Sequence, residues 1–106
     1  MGEEADDSHP QDFMERLSDS DIDTRLLALG SAWRREGDSI VAELECADFV
    51  AAVALVNRIA AEAERADHHP DILIHGYKRL RITLSTHAAG GLTQGDFALA
   101  SVINTL

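Results

Sequence analysis

Histidine is the side chain whose charge changes nearest neutral pH, so converging histidines can both give and take a proton in one site. Between Glu64 and Asp96 the chain carries His68, His69 and His87, with Pro70 after the first two and Gly90-Gly91 soon after the third. Glu64 precedes His68 by four residues. In a last helical turn that spacing sets both on nearly the same side, where the carboxylate could orient the imidazole and raise its basicity. The same residues also admit plainer readings. A histidine at a helix C-terminus suits the dipole, a proline is a stop signal, and Thr93 with Asp96 makes an aspartate version of a capping box. Tyr77 can simply pack on a sheet. Zinc is a weaker alternative: adjacent His68 and His69 do not readily aim at one ion, and the helical His-Glu-x-x-His spacing is absent. Gly90-Gly91 lacks the pattern and lysine of a phosphate loop, and no serine has a nucleophile-elbow context.

The elements that must position these residues follow from periodicity. Ser18 precedes Asp19 and Asp21, as at a helix N-terminus, and Ile22, Leu26 and Leu29 recur at helical spacing with Leu27 widening the stripe. Gly30 is a C-cap. Ala32–Glu36 and Ser39–Cys46 flank a Gly37-Asp38 turn, and Ile40, Ala42, Leu44 and Cys46 alternate with Val41, Glu43 and Glu45, as in a half-buried antiparallel strand. Trp33 packs on the same face or lines a cleft. A long helix runs from Ala47 or Asp48 to about Asp67, with Phe49, Val53, Val56, Ile59, Ala60 and Ala63 as its apolar stripe. It must stop by Pro70. Asp71–Gly76 and Lys78–Thr86 are two more strands, Ala88–Leu92 is a loop, and Thr93 caps a last helix bearing Phe97, Leu99, Ala100, Val102 and Ile103. The order α-β-β-α-β-β-α predicts an α+β fold: a two-layer, four-stranded antiparallel sheet with helices packed on one face. If the last two strands pair through a turn near Gly76 and Tyr77, His87 returns to the His68-His69-Pro70 end. Hairpin geometry alone then gathers the three imidazoles at one sheet edge.

Composition narrows the function classes. The 106 residues make one domain with a single core. Residues 1–23 hold nine acids against one base, Arg16, so −8 of the formal −10 lies in this leading segment. Residues 1–16 read as an acidic disordered tail and 17–106 as the domain. The body is nearly neutral, which argues against direct nucleic-acid binding. No apolar run approaches the ~20 residues of a membrane span, and an acidic start is unlike a signal peptide. Cys46 is alone, which excludes an intramolecular disulfide, fits a reducing compartment and reads as an inert small apolar residue at a strand end or helix entry. A cytoplasmic protein is expected.

The spacing Glu64-x3-His68-His69-Pro70-x6-Tyr77-x9-His87-x8-Asp96 resembles the signature of the pterin-4a-carbinolamine dehydratases. The run ITLSTH, then GGLT and Asp-Phe-x-Leu-Ala, is similar to that family's ending, and the likeness covers roughly Leu17 to Leu106. The resemblance implies a cytoplasmic lyase of tetrahydrobiopterin metabolism. It removes water from 4a-hydroxytetrahydropterin to give quinonoid dihydropterin, and so recycles the cofactor of aromatic amino acid hydroxylases. No metal and no organic cofactor is implied, and the protein would be a homodimer or homotetramer. Carried over by position, His68, His69 and His87 are catalytic, while Asp67, Pro70, Ser85, Thr86 and Ala88 contact substrate. Glu64, Tyr77 and Asp96 support them. This reading gives proton transfer to His68 and His87, and pterin positioning to His69; which histidine is acid and which is base stays open. The alternative is a non-catalytic protein-binding module, a coactivator or assembly factor, on the same fold.

Overall fold

The structure, a computed structural model, describes residues 14–106; residues 1–13 of the expected acidic tail lie outside the described residues. The elements are α1 (Asp19–Leu29), β1 (Trp33–Glu36), β2 (Ser39–Glu45), α2 (Phe49–Ala66), β3 (Asp71–His75), β4 (Arg79–Leu84), a 3-10 turn (His87–Ala89) and α3 (Gln94–Ile103). The expected order holds. The strands form one antiparallel sheet in the order β1-β2-β4-β3.

Register explains the two faces. Ile40 pairs with Leu84 and Ala42 with both Trp33 and Ile82, so these side chains share one face with Ile72. That face meets Ile22 of α1, Ile59 and Ala63 of α2, and Phe97, Leu99, Ala100 and Ile103 of α3 in a single core. Each fully buried Ile or Leu there contributes about 1.5–3 kcal/mol. The Trp33 indole N–H donates to Asn104 Oδ1 at 2.8 Å, and Asn104 Nδ2 donates to the Leu29 carbonyl at 3.0 Å. Trp33 therefore belongs to the core and ties β1 and α1 to the end of α3. The opposite face carries Glu43, Arg81, Arg79, Leu73 and His75. Val41 also lies there and is nonetheless buried, flanked by its register partners Arg34 and Thr83.

Two expected apolar stripes shift. Leu27 is 85% exposed and does not widen the buried face of α1. In α2 the buried line is Ala52, Ile59 and Ala63, with Leu55 packed against it, whereas Phe49, Val53 and Ala60 face outward. The buried line keeps helical spacing from Ala52 through Leu55 and Ile59 to Ala63, so the stripe is rotated from the expected one rather than lost. Cys46 is only half-buried, just past the end of β2.

Candidate active site

The end of α2 is built by a Schellman motif. Asp67 adopts a left-handed conformation (φ 52°), its N–H donates to Glu64 O at 3.2 Å, and the His68 N–H donates to Ala63 O at 3.0 Å. Aspartate tolerates this conformation better than most residues. The reversal takes His68 off the helical path. Its expected partnership with Glu64, four residues back, is therefore not formed. His69 instead swings over the helix end and meets Glu64 Oε2 through Nε2 at 2.6 Å, both side chains well exposed. His68 turns inward, with its side chain only 12% exposed, and its Nε2 lies 2.5 Å from Oδ1 of the fully buried Asp96.

Asp96 reaches that point through a capping box. The Thr93 hydroxyl caps α3, and the Asp96 carboxylate accepts the Thr93 backbone N–H through Oδ2 at 3.0 Å. Burying a carboxylate is costly unless several donors satisfy it. Asp96 has three: Thr93 N–H, the Thr86 hydroxyl at 2.8 Å and the His68 ring. The expected cap and the expected supporting acid are thus one residue doing both.

Thr86 arrives from β4. Asp71 pairs with Thr83, so the antiparallel register brings the start of β3, just after His68-His69-Pro70, beside the end of β4. Thr86 and Gly91 bond in both directions (3.1 and 3.3 Å), closing a small loop over the His87–Ala89 turn, and Gly90 takes a left-handed φ of 74° that suits its lack of a Cβ. Arg16 lies across Gly91, where an added Cβ would stand 3.0 Å from its Nε. His87 and Ala88 are exposed on this turn and Ser85 is half-buried; Pro70 is half-buried beside the exposed Asp67.

The structure thus joins His68, Asp96 and Thr86 directly, pairs His69 with Glu64, and sets His87 next in chain to Thr86. Tyr77 is elsewhere. It forms the β3–β4 turn with Gly76, both left-handed, at the far end of a five-residue strand, roughly 17 Å along the hairpin from Pro70. It is exposed, with Lys78 Nζ 5.7 Å from its ring centroid. Tyr77 supports the turn and does not reach the histidine end. Thr93 joins the site through its hydroxyl, 2.9 Å from Thr86 Oγ1, although its spacing to Asp96 signals only a helix cap. His75, which the alternation Asp71, Leu73, His75 sets on the open face, has its Nε2 3.7 Å from Glu43 Oε1. A cleft of about 290 Å³ between α2 and α3 is lined by His68 with Glu62, Arg65, Ala66, Gly95 and Ala98. That is near the lower end for a small-molecule pocket. Among the described residues no group of three His, Cys, Asp or Glu side chains is placed to hold a metal ion, and no helix is long and apolar enough to cross a membrane.

A buried carboxylate holding an imidazole at the end of an antiparallel sheet, with helices packed on one face, defines the class: a histidine–carboxylate site of the acid–base kind on a two-layer α+β fold. The comparisons name its family. The model of the pterin 4 alpha carbinolamine dehydratase family matches residues 15–106, and the chain belongs to that family. A protein of Acidobacterium capsulatum with the provisional name pterin-4-alpha-carbinolamine dehydratase is 48% identical over 93 residues, covering 88% of this chain and 99% of its own. A protein of Nocardia farcinica with the same provisional name is 50% identical over 92 residues, covering 87% and 95%. The crystal structure of a transcriptional coactivator/pterin dehydratase from Brucella melitensis aligns with a TM-score of 0.80 at 31% identity, over 86% of this chain and 97% of that one. A pterin dehydratase-like protein described as a RuBisCO assembly factor in the alpha-carboxysome shares the fold (TM-score 0.59, 21% identity, 73% and 90% covered).

Proposed function

We propose that this protein dehydrates 4a-hydroxytetrahydropterin to quinonoid dihydropterin by histidine acid–base catalysis, returning the pterin to aromatic amino acid hydroxylases. The observation that carries the reading is the His68–Asp96 contact. An imidazole whose Nε2 faces a buried carboxylate presents Nδ1 as its proton-accepting atom, which suits removal of the N5 proton. His87, exposed on the turn beside Thr86, donates a proton to the departing 4a-hydroxyl. One proton enters on oxygen, one leaves from nitrogen, the C–O bond breaks and the C=N bond forms. The sum is loss of water, with no redox change. His69, held by Glu64, positions the pterin along with Asp67, Pro70, Ser85 and Ala88. The protein works as a homodimer or homotetramer, for which the open edges of β1 and β3 and the outward Phe49, Val50 and Val53 of α2 offer surfaces.

The test is direct. Purified protein is added to enzymatically generated carbinolamine, and the rate of its loss is compared with buffer. An acceleration is expected, and His87→Ala should lower it by roughly 10²–10⁴. A rate no faster than buffer sinks the proposal and favours the protein-binding alternative, for which the Brucella neighbour's double description is the supporting observation.

A further inference from the structure

Thr86 adjoins His87, yet its hydroxyl does not serve the open side of the site. The residue is 5% exposed and its Oγ1 is engaged entirely inward. Counting donors settles which way each proton points. Thr93 Oγ1 accepts the Gly95 N–H at 3.2 Å, so its own proton is free for Thr86 Oγ1, 2.9 Å away. Thr86 then gives its single proton to Asp96 Oδ2 at 2.8 Å. Oδ2 also takes the Thr93 N–H, which leaves Oδ1 for His68. A carboxylate only accepts, so His68 must donate from Nε2. A neutral imidazole has one N–H, and Nδ1 is therefore the acceptor.

We propose that Thr86 is a positioning residue: its hydroxyl, itself anchored by Thr93, holds Asp96 in the orientation that keeps His68 in the Nε2–H tautomer with Nδ1 free for the substrate's proton. The chemistry of this inference rests on the dehydratase reading; its geometry does not. A partner that fixes the orienting carboxylate of a histidine commonly carries catalytic weight without touching substrate. Thr86 also immediately precedes the His87–Ala89 turn, so one hydroxyl ties that turn to the Asp96 carboxylate that faces His68. This gives the Thr86 hydroxyl a role apart from the substrate contact that the resemblance implies for the residue.

The experiment reads tautomer and turnover separately. Long-range ¹H–¹⁵N correlation spectra of labelled protein report which His68 nitrogen carries the proton, and steady-state assays on carbinolamine report kcat and KM. Wild-type and Thr86→Ser proteins should hold His68 as Nε2–H. Thr86→Val, nearly the same shape without the hydroxyl, leaves Asp96 held by the Thr93 N–H alone. Where the carboxylate turns away from Nε2 the ring takes either tautomer, so the tautomers should mix and kcat should fall on the order of tenfold, mainly in kcat rather than KM. Thr86→Ser should recover most of the loss. A Thr86→Val protein with wild-type tautomer and kcat overturns the proposal, as does a wild-type His68 protonated on Nδ1. If Thr86→Val does not fold, Thr86→Cys, a weaker donor in the same place, should shift tautomer and kcat in the same direction by less; no shift overturns it. Loss of the Nε2–H tautomer in a protein whose wild type turns over no carbinolamine would refute the dehydratase reading and support the positioning role.

Discussion

Asp96→Asn changes one atom and, in this site, inverts a proton. The carboxylate serves two donors at Oδ2, Thr93 N–H and Thr86 O–H, and one at Oδ1, the His68 ring. Asparagine has one oxygen. Two donors compete for it on one side against one on the other, so it takes the Oδ2 place and turns its NH₂ towards His68. Nε2 must then accept, the proton moves to Nδ1, and on the proposed mechanism the ring has no lone pair left for the substrate's proton. The same substitution in a serine-protease triad costs about 10⁴ in kcat through the wrong tautomer. Loss of a general base is worth roughly 10²–10⁴, or about 3–5 kcal/mol in barrier. Folding suffers less. One charge-assisted hydrogen bond (about 1.5–3 kcal/mol) and one favourable helix-terminus charge (about 0.3–1 kcal/mol) are lost, partly offset because a buried charge no longer needs desolvating. Carbinolamine turnover and urea unfolding of the same preparation separate the two effects. A folded Asp96→Asn protein with kcat within about threefold of wild type would refute the reasoning.

Three other outcomes follow from the packing and the open face. Asn104→Ala strips the partner from the buried Trp33 indole N–H, and should destabilise the fold by about 1–3 kcal/mol. The single tryptophan reports this in urea by its emission, and an unmoved midpoint would contradict the assignment. Partial desolvation pushes the Glu43 carboxyl up, but hydrogen bonds and charge from Arg81 and Arg34 outweigh it and hold the carboxyl below its ordinary range. A lowered folded-state pKa stabilises above the unfolded value and ceases to as pH falls through the folded one. Glu43→Gln should therefore be less stable than wild type at pH 7 and converge with it at strongly acidic pH; parallel curves throughout would show that the pairs contribute nothing. Leu27→Ser, at an 85% exposed position, should change stability by no more than about 0.5 kcal/mol, and a larger loss in urea unfolding would return Leu27 to the core.

Local chemistry was legible in the chain alone. Ser18 and Thr93 announce helix starts because a hydroxyl must satisfy N–H groups with no helical partner, and alternation in Ile40–Leu44 and Leu80–Leu84 records which sheet face is buried. The helix stop before Pro70 and the order of seven elements followed from the same rules, as did the return of β4 towards the His68 end. Such signals reach only a few residues along the chain. Tertiary structure decided what those rules leave degenerate. On α2 it chose Ala52 over Val53 for burial, because the line through Ala52, Leu55, Ile59 and Ala63 is the one that meets the sheet. It gave Glu64 to His69, because a left-handed Asp67 broke the helical spacing on which a His68 pairing depended. It carried Tyr77 to the far end of the hairpin. And it brought Thr86, ten residues from Asp96 and eighteen from His68, into one buried network that no periodicity encodes. A buried carboxylate must collect donors from wherever the fold can supply them, and here that need assembled the candidate site.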